Sequence, residues 1–303
     1  MLSGIKKIMS NKSALNAVDS NVLLIEIDDE LRYKLQNMLK EIFMDILAVC
    51  KKHDLKIFLV GGSALGAVRH HGFIPWDDDL DAGMVRDDYE RFKMIFEKEL
   101  SSKYILNAPN YHGKSKERFA KIMKKGTVIQ ELIDVGDLER CGVFLDIFIL
   151  DNVPDNILFR KIKGNYCNFL EFIAGQVRLV ECMDNDLKVM LKRTGRTTYV
   201  IRMIVGKIFS FKNSHKWHDK IDNVVQYKNE NTKYVTIATG RKHYFGEMLL
   251  RNELFPLKTN VFEGEEVPVF YNEDYYLSNL YGNYMSIPPV EKREKHFVKR
   301  IEL

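Results

Sequence analysis

A short apolar segment that runs directly into two glycines is the feature that most limits how this chain can fold. The segment KIFLV at 56–60 is followed by Gly61, Gly62 and Ser63, and then by the helix-forming stretch ALGAVRHH at 64–71. This pattern predicts a buried strand, a tight turn and a helix. Backbone N–H groups at such a turn can approach an anion closely, with the positive end of the helix dipole behind them. We therefore expect the three turn residues to hold a phosphate group, with an ordinary strand-to-helix turn as the alternative.

An acidic run follows one short helix later. Residues 74–81 read IPWDDDLD, so Asp77, Asp78, Asp79 and Asp81 lie within five positions. The stretch from Asp79 onward predicts a strand, in which alternate side chains share a face, so Asp79 and Asp81 are expected side by side. Carboxylates so close repel one another unless a cation lies between them, and Mg²⁺ prefers oxygen ligands. We interpret Asp79 and Asp81 as metal ligands and Asp77 as a third ligand or a residue that acts through water. Asp78 is interpreted as a solvated surface acid.

A later apolar segment carries one carboxylate near its centre. The segment GVFLDIFIL at 142–150 predicts a buried strand, and a carboxylate there is costly without a partner. Asp146 is therefore expected to be a general base or the ligand of a second metal ion, with a buried acid satisfied by backbone donors as the alternative. Asp151 is interpreted as a turn cap.

Further candidates lie near these acids or near the carboxyl terminus. Arg69 is expected to reach a phosphate or to form a salt bridge with the acidic loop. Lys121 is a candidate phosphate contact, although an exposed strand lysine is the favoured interpretation. Trp76 is expected to pack and fix the loop, with stacking on a base or a cation as the alternative. Arg293 and His296 are candidates for a closing salt bridge or for substrate contact.

Composition excludes several classes of protein. The 303 residues are 46% hydrophobic and 11% aromatic, which is not the composition of a disordered chain. A net charge of +4 is far from the concentrated basic surface that duplex nucleic acid requires, and no nucleic-acid partner is expected. Anionic substrates and an anionic membrane surface both remain compatible. The four cysteines show no CxxC pair, so neither a disulfide framework nor a structural zinc site is expected.

No segment reaches the roughly 20 apolar residues that span a bilayer, and no signal peptide is expected. The nearest candidate, YVIRMIVGKIFSFK at 199–212, is interrupted by Arg202 and Lys207. A helix with a buried face is the first interpretation, and a basic amphipathic segment on a membrane surface is the second. The expected location is cytoplasmic, with peripheral contact at the inner face of the membrane left open.

The remaining pattern mixes helices with strands. Apolar residues at three- and four-residue steps predict a helix over 29–53 capped by Asp28 or Asp29, and a second helix is expected over 86–100. The stretches RFAKIMKK and TVIQELI are expected to be strands. The fold class is therefore α+β. A glycine-serine turn followed by three strand carboxylates resembles the nucleotidyltransferase-type fold of the polymerase-beta superfamily, which implies a mixed sheet flanked by helices.

A longer stretch carries a more specific resemblance. The sequence VGGSALGAVRHHGFIPWDDDLDAGMVRDDYERF at 60–92 resembles the signature of the LicD family of phosphotransferases, to which the fukutin-type proteins are related. Further matching stretches are FLDIFILDNVP at 144–154, FEGEEVPV, YYLSNLYGNYMSIPP and KREKHF. The resemblance implies that 28–155 is a nucleotidyltransferase-like catalytic core, that 1–27 is an N-terminal extension, and that 156–303 is a mostly helical part that completes the substrate site.

The resemblance also implies an activity. LicD-type enzymes transfer a phosphorylated small alcohol, typically phosphocholine, from a CDP-activated donor to a sugar hydroxyl of a surface glycan or its lipid-linked precursor, and CMP is released. Asp146, Asp79 and Asp81 would be catalytic, and Mg²⁺ or Mn²⁺ the cofactor. Gly61, Gly62, Ser63, Arg69, Lys121 and Trp76 would contact substrate. Transfer of phosphoethanolamine, glycerol phosphate or ribitol phosphate stays open, as do a nucleotidyltransferase that releases pyrophosphate and a catalytically silent glycan-binding protein.

Overall fold

A seven-stranded mixed sheet carries the acidic residues. The structure, a computed structural model, describes residues 25–112, 115, 117–131, 141–183, 188, 196–229, 231–293 and 297–303. The α+β class predicted from the sequence is confirmed. The strands, in chain order, are β1 (Ile25–Glu26), β2 (Ile57–Leu59), β3 (Asp81–Val85), β4 (Tyr104–Asn107), β5 (Ala120–Lys124), β6 (Val128–Glu131), β7 (Phe144–Val153), β8 (Tyr234–Thr236), β9 (Met248–Leu250), β10 (Lys258–Phe262), β11 (Glu265–Val269) and β12 (Phe297–Glu302).

The helices lie around this sheet and against one another. In chain order they are α1 (Asp29–Lys52), α2 (Gly61–His70), α3 (Arg86–Glu99), α4 (Ile157–Glu181), α5 (Arg196–Phe209), α6 (Ser214–Val225), α7 (His243–Gly246), α8 (Arg251–Leu254) and α9 (Glu273–Tyr281), followed by a 3₁₀ turn at Val290–Lys292.

The order of strands in the main sheet is β2–β3–β7–β5–β4, and β8 and β9 continue from β7. Strands β3 and β7 are parallel, whereas β7 is antiparallel to β5 and to β8. The central strand β7 is long and seven of its ten residues are apolar, as expected for a strand covered on both faces.

Helix α1 follows the expected pattern. The side chain of Asp28 accepts a hydrogen bond from the backbone N–H of Leu31, which caps the first turn. The apolar side buries residues from Leu35 to Cys50 against the core. Each of these side chains adds roughly 1.5–3 kcal/mol of transfer free energy when fully buried, so tertiary packing stabilises this helix more than its cap does.

The carboxyl-terminal part is joined to the main sheet and shares its core. Strand β8 pairs with the end of β7, and β12 pairs with β6. Ile27, directly after β1, is buried in the same cluster as Leu145 and Tyr276. The segments before 28 and after 155 therefore contribute to one continuous core.

The segment 199–212 lies in helix α5 and just beyond it. The helix packs on α4 through Gly206, where an added methyl group would lie 2.5 Å from the carbonyl oxygen of Gln176. Met203, Val205 and Phe209 are half-buried, and Phe209 packs against the cluster that contains Trp217. The helix therefore has the expected packed face, whereas Ile201, Ile204 and Ile208 are exposed on its other side. No helix in the described part of the chain is both long enough and apolar enough to span a membrane.

Candidate active site

The acidic run forms a loop that enters strand β3. Asp77 N–H donates to the carbonyl of Ile74 at 2.9 Å, and Gln36 Nε2 donates to the carbonyl of Asp77 at 2.7 Å. Strand β3 begins only at Asp81. The strand predicted from Asp79 therefore starts two residues later than expected, although Leu80 is buried in the core as the predicted alternation requires.

The four aspartates nevertheless line one cavity. Asp78, expected to be a solvated surface acid, is half-buried and belongs to this lining. The prediction failed because it relied on strand alternation in a segment that is not a strand. Burial raises the pKa of Asp77 well above its ordinary value, and repulsion from Asp79, Asp78 and Asp81 adds to that increase.

Helix α2 begins at the two glycines and points its first turn at these acids. Gly61 has a φ of +56°, and an added methyl group there would lie 2.6 Å from Asp81 Oδ2. At Gly62 the corresponding methyl group would lie 2.9 Å from Asp77 Oδ2. Both glycines are thus required by the close approach of a carboxylate to the helix backbone. The hydroxyl of Tyr276 accepts the N–H of Gly61 at 2.9 Å.

Ser63 has a different position from the two glycines. It is buried, it is absent from the cavity lining, and its Oγ accepts the backbone N–H of Asp81 at 2.8 Å. The serine therefore ties the helix to the start of β3, which holds Asp81 in place.

Three charged residues form a row across the centre of the sheet. Asp81 on β3 is directly paired with Asp146 on β7, and Asp146 is directly paired with Lys121 on β5. Asp146 and Lys121 are both buried, and Lys121 Nζ lies 3.7 Å from Asp146 Oδ1. The interpretation of Lys121 as an exposed strand lysine is therefore wrong. Its ammonium group also lies 3.5 Å from the ring centroid of Phe144, a favourable cation–π contact.

Asp151 lies outside this site. It is buried within β7, where its two carboxylate oxygens accept from Arg86 Nε and Nη2 at 2.8 Å. Arg86 also donates to Asp222 on α6 at 2.8 Å. The turn-cap interpretation of Asp151 is wrong, because β7 extends to Val153 and the arginine comes from a neighbouring helix.

Arg69 and Trp76 lie at one side of the cavity. Arg69 Nη1 donates to the carbonyl of Tyr284 at 2.6 Å, and its guanidinium carbon lies 6.0 Å from the Trp76 ring centroid. The guanidinium of Arg293 covers the same ring at 4.1 Å. Trp76 thus packs between arginines, which agrees with the loop-fixing interpretation. His296 lies outside the described residues.

The cavity has a volume of about 720 Å³ and extends from the acids to helices α4, α5 and α6. Its far wall includes Arg118, Glu171 and His218. Arg118 Nε lies 3.5 Å from Glu171 Oε2. Burial and the charge of Arg118 lower the pKa of His218 to about 3, so its imidazole is neutral at physiological pH. Neither ring nitrogen of His218 has a hydrogen-bond partner among the described residues.

Sequence reasoning did not assign these far-wall residues. They are widely separated along the chain and belong to no recognisable motif, so only the tertiary structure brings them together. Tyr276 and Tyr281 also line the cavity. The matching stretch YYLSNLYGNY contains both tyrosines and was the signal that could have identified them.

The donor set at the acids is compatible with Mg²⁺ but does not form a complete cage. Within the described part of the chain, no group of three or more His, Cys, Asp or Glu side chains has the arrangement of a metal site. Mg²⁺ is commonly held by one or two carboxylates together with substrate phosphates and water. Burial and the neighbouring carboxylates both raise the pKa of Asp77, and a divalent cation would offset the negative charge of this loop.

The chain is an α+β protein with an acidic site that could accept a phosphate group. The site combines a mixed sheet, a helix that begins at two glycines and a pair of carboxylates on neighbouring strands. Residues 54–152 match the family model described as LicD/FKTN/FKRP, nucleotidyltransferase domain. The resemblance predicted from the sequence is confirmed, and residues 54–152 carry a LicD-type domain.

Individual relatives agree with this assignment. The chain is 28% identical over 257 residues to the lipopolysaccharide cholinephosphotransferase LicD of Haemophilus influenzae. The aligned residues cover 83% of this chain and 90% of the relative. It is also 27% identical over 121 residues to an uncharacterized protein of Rickettsia prowazekii, over 40% of this chain and 42% of that protein. A shorter match to an uncharacterized protein of Rickettsia typhi is 35% identical over 77 residues, 25% of this chain and 24% of that protein.

Proposed function

We propose that this protein transfers phosphocholine from CDP-choline to a sugar hydroxyl of lipopolysaccharide or a related cell-surface glycan, or of its lipid-linked precursor. The similarity to the Haemophilus influenzae cholinephosphotransferase over most of both chains supports the transferred group and the kind of acceptor. The CDP donor, the metal and the roles of individual residues are the parts that the proposal adds.

The observation that carries the proposal is the row formed by Asp81, Asp146 and Lys121 beside the first turn of α2. Phosphoryl-group transfer mainly requires positioning and charge stabilisation, because the reacting groups do most of the covalent chemistry. A helix N-terminus, carboxylates and a buried cation lie together in this row. The adjoining cavity of about 720 Å³ has the size of a typical cofactor or substrate site.

In the proposed reaction, the acceptor hydroxyl oxygen forms a bond to the phosphorus that bears choline. The bond from that phosphorus to the bridging oxygen of the diphosphate breaks, and CMP leaves with the electron pair. The hydroxyl proton passes to the carboxylate of Asp146, which acts as general base. Lys121, 3.7 Å from Asp146 Oδ1, offsets negative charge where the diphosphate would lie.

Mg²⁺, or Mn²⁺ in its place, would be held by Asp79 and Asp81 with help from Asp77. When bound, it would neutralise diphosphate oxygens and charge on the leaving CMP. The first-turn N–H group of Gly62 would contact the donor phosphates. Gly61, whose N–H donates to Tyr276, would act by letting Asp81 approach the helix. Ser63 would act indirectly, through the hydrogen bond that holds Asp81.

Residues from 156–303 are proposed to complete the substrate site. Glu171, His218 and Tyr281 from this part of the chain line the cavity. Arg69 would order the segment at Tyr284 and Ser286 through its hydrogen bonds to their carbonyl groups. Trp76, held by Arg293, would form one side of the donor pocket.

The test is CMP release from CDP-choline with Mg²⁺ and a cell-envelope glycan extract, compared with CDP-ethanolamine, CDP-glycerol and CDP-ribitol. We expect CMP from CDP-choline and a choline-labelled glycan, both lost in Asp81→Asn. A matched control is Asp87→Asn, which alters an exposed acid on α3. If CMP is released only from another donor, the transferred group is the phosphorylated alcohol of that donor and not phosphocholine. Release of pyrophosphate from a nucleoside triphosphate would establish the nucleotidyltransferase alternative and overturn the proposal. Absence of any product with every substrate would also overturn it.

We also propose a cytoplasmic location with peripheral contact at the inner face of the cell membrane, where lipid-linked glycan precursors would be accessible. Fractionation of cells that express the tagged protein tests this location. Recovery only in a compartment outside the cytoplasmic membrane would contradict it.

A further inference from the structure

An exposed apolar surface runs along helices α4 and α5. We name it the α4–α5 face. It is formed by Leu158, Ile162, Tyr166, Phe169, Ile201, Ile204, Ile208 and Phe211. Leu158 is 69% exposed, Ile162 59%, Ile204 52% and Ile208 62%. Single exposed apolar residues are common on soluble proteins, but a contiguous group marks an interaction surface.

Helical spacing and ring contacts make the face continuous. The α4 residues recur at steps of four, four and three positions, and Ile201, Ile204 and Ile208 at three and four, so each set lies on one side of its helix. Phe211 follows just after the end of α5. Phe169 on α4 lies 6.4 Å from Phe209 at the end of α5, and Phe209 lies 6.2 Å from Phe211, measured between ring centroids. The two exposed stripes therefore meet.

The charged residues within the two segments that form the face are all basic. Residues 156–170 and 196–212 together contain seven Lys or Arg and no Asp or Glu, although the whole chain has 46 basic and 42 acidic residues. Among the seven, Lys161, Lys207 and Lys212 are exposed. Apolar side chains flanked by exposed lysines are the composition of protein segments that lie in the headgroup region of a bilayer.

We propose that the α4–α5 face docks on an anionic phospholipid membrane surface. The charge pattern favours lipid over a second copy of this chain, because a symmetric contact between two such faces would bring like charges together. An anionic bilayer supplies both the complementary charge and an apolar layer for the isoleucine, leucine and phenylalanine side chains. No covalent step is involved.

The same helices form part of the wall of the large cavity. Gln176 and Arg178 on α4 and Arg202 on α5 line it, and Arg202 is adjacent in sequence to Ile201 of the α4–α5 face. Docking would therefore bring one wall of the cavity close to the lipid. If the proposed function holds, a lipid-anchored acceptor could then reach the cavity without leaving the bilayer.

The test is flotation of the full chain with phosphatidylcholine vesicles that contain or lack phosphatidylglycerol. We expect binding to the anionic vesicles, weakened by high salt. The triple variant Ile162→Gln, Ile204→Gln and Ile208→Gln should reduce binding at least about tenfold, because glutamine preserves helix propensity and removes the apolar contact. The double variant Lys161→Glu and Lys207→Glu should remove the preference for anionic vesicles.

Matched controls come from helix α3, where Met94→Gln removes an exposed apolar residue and Lys98→Glu reverses an exposed charge. Both should bind vesicles like the unmodified protein. Absence of binding by the unmodified protein would overturn the proposal, as would equal binding by the triple variant. A dimer in light scattering that the triple variant abolishes would assign the face to a second copy instead.

This experiment is separate from the test of function. Vesicle flotation requires no turnover, so Asp81→Asn should bind vesicles normally even though it is expected to be inactive. Normal binding without any transferase activity would overturn only the proposed function. Activity on a water-soluble acceptor without vesicle binding would overturn only the docking surface.

Discussion

Asp81 and Asp146 lie directly opposite each other on the parallel strands β3 and β7. The backbone N–H of Asp146 donates to the carbonyl of Leu80 at 3.1 Å, so the register between the two strands is held at the position of the two acids. Lys121 extends the row on the other side of Asp146. A rigid sheet therefore sets the distance between two acids that are far apart in sequence.

Asp146 and Asp151 provide a matched pair of substitutions on one strand. Asp146→Asn should leave the protein folded and reduce transferase activity by about 10²–10⁴-fold, the usual range for losing a general base. Asp151→Asn should instead destabilise the fold by about 3 kcal/mol, because it weakens the buried ion pair with Arg86. Urea denaturation and CMP release, measured on both variants, separate the two roles. Equal loss of stability in both variants would contradict a catalytic assignment for Asp146.

Gly61 tests the close approach of a carboxylate to helix α2. Gly61→Ala and Gly126→Ala should both lose about 1 kcal/mol of stability, since each glycine has a positive φ. An added methyl group at Gly126 meets no atom within 4 Å, whereas at Gly61 it would displace the Asp81 carboxylate. We expect activity to fall at least about tenfold in Gly61→Ala and to stay unchanged in Gly126→Ala. Thermal unfolding and CMP release measure the two effects, and equal activity of the two variants would refute the argument.

Metal dependence should distinguish among the aspartates of the loop. Chelation of divalent cations should abolish activity, and added Mg²⁺ should restore it. Asp79→Asn should raise the Mg²⁺ concentration needed for half-maximal activity at least about tenfold, because it removes an oxygen ligand. Asp78→Asn, which alters the neighbouring acid, should shift this concentration much less. Identical Mg²⁺ titrations for the two variants would contradict the assignment of ligands.

Glu247 predicts a specific pH dependence of stability. Burial raises the pKa of this carboxyl from its ordinary value of 4.5 to about 7. As pH rises through this window, the unfolded chain loses the proton first, so the folded state loses up to about 3 kcal/mol of stability relative to the unfolded state. The loss of stability is absent below pH 4.5 and reaches its full, constant value above pH 7.

Glu247→Gln should remove that part of the pH dependence, because the amide does not ionise and its oxygen can still accept the N–H of Lys242. The measurement is urea unfolding of both proteins across pH 5–8. Parallel stability curves for the two proteins would show that Glu247 does not titrate in this window.

The sequence alone determined the local elements and the chemical type of the site. The apolar run at 56–60 followed by two glycines predicted a strand, a turn and a helix; the structure has β2 and α2 there, with the predicted turn residues forming the first turn of α2. The buried strand around Asp146 was also correct. These predictions succeeded because hydrophobic periodicity and glycine conformation act over a few residues. The stretch at 60–92 also carried the resemblance to the LicD family, and it lies within the matched residues 54–152.

Only the tertiary structure decided which residues meet. Alternation along a strand could not place Asp78, because a turn held by contacts with Ile74 and Gln36 keeps it outside the sheet. Distant segments also decide three other features: the partner of Asp151, the burial of Lys121 and the exposed apolar side of α5. Strand register and helix packing join residues far apart in sequence, so local pattern does not specify them.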